Sequence, residues 1–149
     1  MMIAMHNILV VEDNDEEFET VVSAARRAGM HHQLHRATSG GECLRMLQES
    51  VQNHATLPSL VLLDLNTPGD DGRDALKLIK NCDQLRAIPT VVLSTSANPR
   101  DVNFCYANHA NAYHTKPVSH IAHLKTLNDI FSYWLGCVLL TSEKTQEKR

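Results

Sequence analysis

No charge of one sign dominates this chain. Its 149 residues carry a formal net charge of −3, so no strong field for nucleic acid or an anionic membrane surface is implied. No apolar run approaches the roughly 20 residues of a membrane span. The opening Met1-Met2-Ile3-Ala4-Met5-His6 lacks a basic region followed by an apolar core, so no signal peptide is expected. The four cysteines, Cys43, Cys82, Cys105 and Cys137, include no C-x-x-C pair, which signals neither a zinc site nor a redox couple. Buried free thiols in a reducing, cytoplasmic compartment are the expectation. No internal repeat or low-complexity segment is present. Histidine, by contrast, is plentiful: nine residues make the net charge sensitive to pH between about 5 and 7. The length suits one domain with a real core.

One stretch organises the rest. Leu60-Val61-Leu62-Leu63 runs straight into Asp64, and Leu65-Asn66-Thr67-Pro68-Gly69-Asp70-Asp71-Gly72 follows. A short unbroken apolar run suits a strand buried on both faces. The Pro/Gly/Asp residues then stop it and turn the chain, with Asp70 and Asp71 as turn residues. Asp64 is thus expected at the carboxyl end of a central strand, the edge where ligands bind in open α/β sheets. In isolation, an aspartate there reads equally well as a cap on the next turn.

The same pattern recurs along the chain. Ile8-Leu9-Val10-Val11 ends in Glu12-Asp13. Asn14 caps the next helix, which runs to about Ala28 and stops at Gly29. Glu17 stands at a capping-box spacing, and Asp15, Glu16 and Glu17 suit the helix dipole. Gln33 to Thr38 alternates, as at a sheet edge. Ser39-Gly40-Gly41 turns the chain into a helix from Glu42 to about Val51, and a polar connection leads to the central strand. Arg73 to Cys82 is helical. Thr90-Val91-Val92-Leu93-Ser94-Thr95 is a third buried strand, ending in hydroxyls. Pro99 opens a helix to Asn108, Asn111 to Thr115 is a short strand before Lys116-Pro117, and Ser119 caps a last helix from His120 to about Leu139. Five βα units of this length predict an α/β fold, a doubly wound five-stranded parallel sheet. The order 2-1-3-4-5 puts the two most polar strands at the edges. Residues 1–140 form the expected domain, and 141–149 a polar, disordered tail.

Side by side, the strand ends deliver Glu12 and Asp13, then Asp64, then Ser94 and Thr95, then Lys116. At about 4 Å and an effective dielectric near 20, each carboxylate pair costs on the order of 4 kcal/mol. A compensating cation is needed, and oxygen ligands of this kind suit Mg2+. Lys116 adds positive charge and Ser94 a hydroxyl donor. Such a site suits a transferable phosphoryl group.

The set Glu12-Asp13, Asp64, Ser94 and Lys116-Pro117, with Asp64, Pro68, Asp71 and Gly72 at the Asp-x-x-x-Pro-x-x-Asp-Gly spacing, resembles the flavodoxin-like receiver domain of two-component response regulators. The likeness covers roughly Asn7 to Gly136. Leu93-Ser94-Thr95-Ser96 and Tyr133-Trp134-Leu135 are similar to the small regulators that serve cyanobacterial phytochromes. The resemblance implies Asp64 as phosphoacceptor toward the phosphohistidine of a sensor histidine kinase, and the narrower likeness implies a phytochrome as that kinase. It implies Mg2+ held by the side chains of Asp13 and Asp64, the backbone carbonyl of Asn66, and Glu12 through water. It further implies that Lys116 contacts a phosphoryl oxygen, and that Ser94 is the switch hydroxyl and Tyr113 the aromatic that follows it, with Thr95 competing for the switch role. Phosphorylation adds roughly −1.5 to −2 charges, which biases a two-state equilibrium and repacks the fourth helix, fifth strand and fifth helix.

Competing readings attach to particular residues. His120 and His123 sit at i, i+3, a spacing that could bind a metal, but no third ligand is evident. An aspartyl-nucleophile phosphatase needs Asp-x-Asp-x-Thr, and Asp64-Leu65-Asn66-Thr67-Pro68 departs from it. A pseudo-receiver, a protein-binding module never phosphorylated, is opposed by the intact acid, hydroxyl and lysine set. On the last helix Ile121, Leu124, Leu127, Phe131, Leu135 and Val138 make the stripe that the sheet should cover. Ile130, Tyr133, Trp134 and Leu139 widen it into either a fuller core or a partner surface. The expectation is a stand-alone signalling protein rather than an enzyme. It dimerises with itself through the fourth helix, fifth strand and fifth helix, and has no nucleic-acid or membrane partner.

Overall fold

The computed structural model describes residues 6–29, 33–67, 69 and 72–141. The turn assigned to Pro68, Asp70 and Asp71, and the tail from Ser142, lie outside the described residues. The elements alternate as β1 (Asn7–Val11), α1 (Asp15–Arg27), β2 (Gln33–Ala37), α2 (Gly40–Gln52), β3 (Leu60–Asp64), α3 (Gly72–Asn81), β4 (Thr90–Ser94), α4 (Pro99–Ala107), β5 (Ala112–Thr115) and α5 (His120–Phe131). All strand pairs are parallel, in the order β2-β1-β3-β4-β5. The (βα)5 fold expected from the sequence is the fold observed.

The continuous apolar runs have a direct cause. Alternate residues of a strand face opposite sides, and both sides are covered. Leu9, Val11, Val61, Leu63 and Val92 pack with Cys43, Leu47, Leu76, Ile79 and Cys105 of α2, α3 and α4. Ile8, Val10, Leu60, Leu62, Val91 and Leu93 pack with Val21, Ala24 and Ala25 of α1 and Leu127, Ile130 and Phe131 of α5. Every residue of β3 and of β4 is buried. Each fully buried aliphatic side chain contributes about 1.5–3 kcal/mol. Edge strand β2 keeps its alternation, with exposed Gln33 and His35 alternating with half-buried Leu34 and Arg36.

Helix starts follow their caps. Asn14 Oδ1 accepts from the Glu17 N–H at 2.9 Å, Ser39 Oγ from Glu42 at 3.0 Å, Asn98 Oδ1 from Arg100 at 2.9 Å and Ser119 Oγ from Ala122 at 3.3 Å. The Ser39 cap carries α2 back to Gly40, so the two glycines expected in a turn belong to the helix. First-turn N–H groups have no intrahelical partner, and glycine is tolerated there.

The last helix departs from expectation. It is α-helical only to Phe131, widens into a π-helical turn over Ser132–Cys137, and ends where Val138 becomes extended. The buried face is Leu127, Ile130 and Phe131, with Leu124, Trp134 and Leu135 against it. Ile121 is 80% exposed because, at 3.6 residues per turn, it lies about 120° around the helix from Leu127. Cys43 and Cys105 are buried thiols, Cys82 is half-buried, and Cys137 is exposed on the π-helical turn.

Candidate functional site

The parallel register brings every strand's carboxyl end to one edge. Asp64 closes β3 opposite Leu93 of β4, and the Leu65 N–H donates to the Leu93 carbonyl at 2.9 Å. The Lys116 N–H donates to the Ser94 carbonyl at 2.8 Å, which fixes the residue after β5 beside the end of β4. The Lys116 ammonium then reaches into the edge. It donates to Asp64 Oδ2 at 2.6 Å, Glu12 Oε1 at 3.4 Å and Glu17 Oε2 at 3.4 Å. The side chains of Lys116, Asp64 and Glu12 are 6%, 3% and 4% exposed. The second Asp64 oxygen accepts from the Asn66 N–H at 2.7 Å.

Glu17 is the member that the sequence did not disclose. At the third position of α1 it reads as half of a capping box. The reciprocal bond goes elsewhere: Glu12 Oε2 accepts from the Asn14 N–H at 3.2 Å, and the Glu17 carboxylate turns to Lys116. Its place in the first turn of the helix behind β1 was the available signal. Asp13, by contrast, is exposed and stands outside the close cluster. Glu12, Glu17 and Asp64 offer oxygens within 4.8 Å of one another, and they are the only such group among the described residues. His120 and His123 do not form one. His120 is exposed and His123 half-buried. The buried Nδ1 of His123 has no hydrogen-bond partner among the described residues. Burial, and then the Lys116 charge, hold its pKa below the usual value.

The hydroxyls of Ser94, which ends β4, and of Thr95, just beyond it, part company. Ser94 is 3% exposed, and its Oγ accepts from the Ser96 N–H at 3.1 Å. Thr95 is exposed, and its N–H donates to Asn66 Oδ1 at 2.8 Å. Tyr113 is half-buried on β5 and donates its hydroxyl proton to the Ser96 carbonyl at 2.7 Å.

Electrostatics follow from burial and crowding. Burial pushes the Glu12 carboxyl up to about 8, and the hydrogen bond and charge of Asp64 add to it. Burial also works against the Lys116 charge, but Asp64, Glu12 and Glu17 outweigh it, so the Lys116 pKa rises. Three carboxylates share one ammonium, and the proton on Glu12 makes up part of the deficit. A donor set of hard carboxylate oxygens with an unmet need for positive charge fits a small divalent cation.

Comparison with known proteins bears on this edge directly. Residues 8–128 match the model of the response regulator receiver domain. The chain belongs to that family. It is 39% identical over 129 residues to the "Probable methanogenesis regulatory protein FilR2" of Methanothrix harundinacea, covering 87% of this chain and 83% of that one. It is 37% identical over 134 residues to the response regulator Rcp1 of Synechocystis, covering 89% and 91%. The Mn2+-bound structure of Rcp1 superposes with a TM-score of 0.85 at 36% identity, over 92% of this chain and 99% of that one. The phosphorylated cyanobacterial phytochrome response regulator RcpA superposes with a TM-score of 0.86 at 34% identity, over 93% and 100%. This receiver is therefore a two-component signalling protein related to phytochrome response regulators. As in its family, an acidic pocket suited to a divalent metal lies at the carboxyl edge of the sheet. No helix among its described residues is long and apolar enough to cross a membrane.

Proposed function

We propose that this receiver accepts a phosphoryl group on Asp64 from a phytochrome-type sensor histidine kinase, with Mg2+ as the metal. The observation that carries the reading is the Asp64 carboxylate, buried at the end of β3 and held by Lys116 at 2.6 Å. In the transfer an Asp64 oxygen forms the P–O bond as the P–N bond to the donor imidazole breaks. Lys116 offsets charge on the phosphoryl oxygens, and burial excludes water from the reacting carboxylate. Mg2+ would be held by Asp13, Asp64, the Asn66 carbonyl and Glu12, and would neutralise charge on the incoming phosphoryl group. Glu17, whose oxygen lies close to those of Glu12 and Asp64, adds to the negative field that attracts the cation.

Ser94 is the switch hydroxyl in this reading, supported by its burial and its link through Ser96 to Tyr113. Phosphorylation draws Ser94 toward Asp64, Tyr113 follows, and the face formed by α4, β5 and α5 changes. Residues 1–140 act as the receiver unit and 141–149 as a polar tail, in a cytoplasmic protein that passes its signal by protein contact rather than by enzymatic turnover. The α4-β5-α5 face is the homodimer surface. Tyr106 of α4 (48% exposed) and Ile121 of α5 (80%) offer apolar area on these elements, and Tyr133 (53%) on the π-helical turn that follows α5. The kinase assignment rests on the likeness to Rcp1 and RcpA. A phytochrome-type kinase labelled on its histidine should pass label to the wild-type chain and not to Asp64→Asn, and faster than an unrelated histidine kinase does. Equal rates from both kinases would remove the phytochrome assignment.

A further inference from the structure

Ser96 stands where four hydrogen bonds cross. Its N–H donates to Ser94 Oγ at 3.1 Å, and its carbonyl accepts from the Tyr113 hydroxyl at 2.7 Å. Its own hydroxyl accepts from the Asn98 N–H at 3.1 Å and donates to Asp101 Oδ2 at 2.5 Å. Asp101 lies in the first turn of α4. Its other oxygen accepts from Arg73 Nη2 at 2.6 Å. Arg73 is the second residue of α3, just beyond the loop that leaves Asp64. Its guanidinium also sits over the Phe104 ring, 5.7 Å from the centroid. Arg73 therefore grips α4 at Asp101 and at Phe104, neighbours at i, i+3 on one helix face. The ion pair is sheltered, at 29% and 24% exposure.

We propose that Arg73 and Asp101 form a latch that positions Ser96, and through it holds Ser94 and Tyr113 in the resting arrangement. The latch rests on the phosphoacceptor reading of Asp64. At rest the Ser94 hydroxyl oxygen is tied to the backbone of Ser96. In the switch proposed above, donation from Ser94 to a phosphoryl oxygen on Asp64 draws the segment 94–96 toward Asp64. The short bond from Ser96 to Asp101 opposes that movement, and Arg73 holds Asp101 from a separate helix, α3. The Ser96 hydroxyl first, and Arg73 next, hold the Asp101 carboxyl below the usual carboxylate range, so the pair stays charged at neutral pH. Arg73 and Asp101 are positioning residues, acting on the reacting atoms only through Ser96. They set how readily the site takes up a phosphoryl group, not whether it can.

Titration with beryllium fluoride, a phosphoryl mimic, in the presence of Mg2+ tests the latch, with Mg2+ binding alone as the control. In Asp101→Ala and in Arg73→Met the mimic should bind about three- to tenfold more tightly, the shift expected when one part-buried hydrogen bond of ordinary net strength is lost from only one of two states. Mg2+ affinity alone should not change. The double variant should gain no more than either single one, because the two residues act as a unit. Asp101→Asn, which keeps an acceptor for Ser96 without the charge, should fall between wild type and Asp101→Ala. It also serves as the readout should the alanine variant fail to fold. Unchanged or weaker mimic binding in the single variants, or additive effects in the double, would overturn the latch while leaving the phosphoacceptor reading intact. Failure of the wild type to bind the mimic, or equal binding by Asp64→Asn, would overturn both.

Discussion

Lys116 illustrates how much one side chain settles at this edge. Its ammonium contacts Asp64, Glu12 and Glu17, and two of those three carboxylates are almost wholly buried. Removing the cation of the cluster leaves the buried Asp64 carboxylate without its ion-pair partner. Lys116→Met should lower stability by about 3–5 kcal/mol, the cost of orphaning a buried ion pair. Urea unfolding in chelator measures it, and added Mg2+ should recover part of the loss. A change below about 1 kcal/mol would show that the carboxylates relax without the lysine. Glu12 gives the matching pH dependence. Its folded pKa, pushed up to about 8 from 4.5, means that the folded state holds a proton which the unfolded chain has released. Through that window the folded state binds more protons, so this group's contribution falls as pH rises. The fall is on the order of 5 kcal/mol across the window, at about 1.4 kcal/mol for each pH unit crossed. Metal-free stability should therefore decline between pH 5 and 8 more steeply in the wild type than in Glu12→Gln. Equal slopes would contradict the assignment. The depressed pKa values of His114 and His123 act in the opposite sense, which is why the comparison with the variant is needed.

Elements are tied together by buried polar groups as well as by the apolar core. Near the end of α3, the Lys80 ammonium donates to the carbonyls of Arg86 and Ile88 and to Asn111 Oδ1, at 3.1, 2.9 and 2.9 Å. Asn111 Oδ1 also accepts from the Thr90 N–H at 2.8 Å. One lysine thus joins α3 to the entries of β4 and β5, on the edge away from the acidic cluster. Lys80→Met keeps the stem and removes the donor. It should cost about 2–3 kcal/mol through the unsatisfied acceptors, read as a shift in urea midpoint, with Mg2+ affinity unchanged. At this scale the sequence was most legible where burial was two-sided. The runs at Ile8, Leu60 and Thr90 suit central strands, and the structure makes them so, and the caps at Asn14 and Ser119 mark helix starts. The π-helical turn at Ser132–Cys137 left no such mark, because a change of hydrogen-bond step alters no residue pattern. Ile121 was misplaced on the buried stripe because its angle to Leu127 depends on which face docks.

For the whole molecule, parallel winding explains why most of the candidate site is legible in the sequence. Each strand's carboxyl end falls on one edge, so Glu12, Asp64, Ser94 and Lys116, at or just past those ends, needed only the topology to be brought to it. Glu17 needed the docking angle of α1. The Arg73–Asp101–Ser96 chain needed two helices whose paired residues lie 28 positions apart in sequence. Both were beyond pattern reading for that reason. The exposed Ile121 and Tyr133 belong to the same scale: equilibrium sedimentation should show a reversible dimer that Ile121→Asp weakens at least about tenfold, the loss expected of a central apolar contact. A monomer at all accessible concentrations would remove the dimer. The most direct test of the chemistry is intact mass after incubation with a small phosphodonor, with and without Mg2+, beside Asp64→Asn. One phosphate should be gained by the wild type, only with Mg2+, and none by the variant. A phosphate gained equally by Asp64→Asn, or none gained by the wild type under any condition, would contradict Asp64 as the phosphoacceptor.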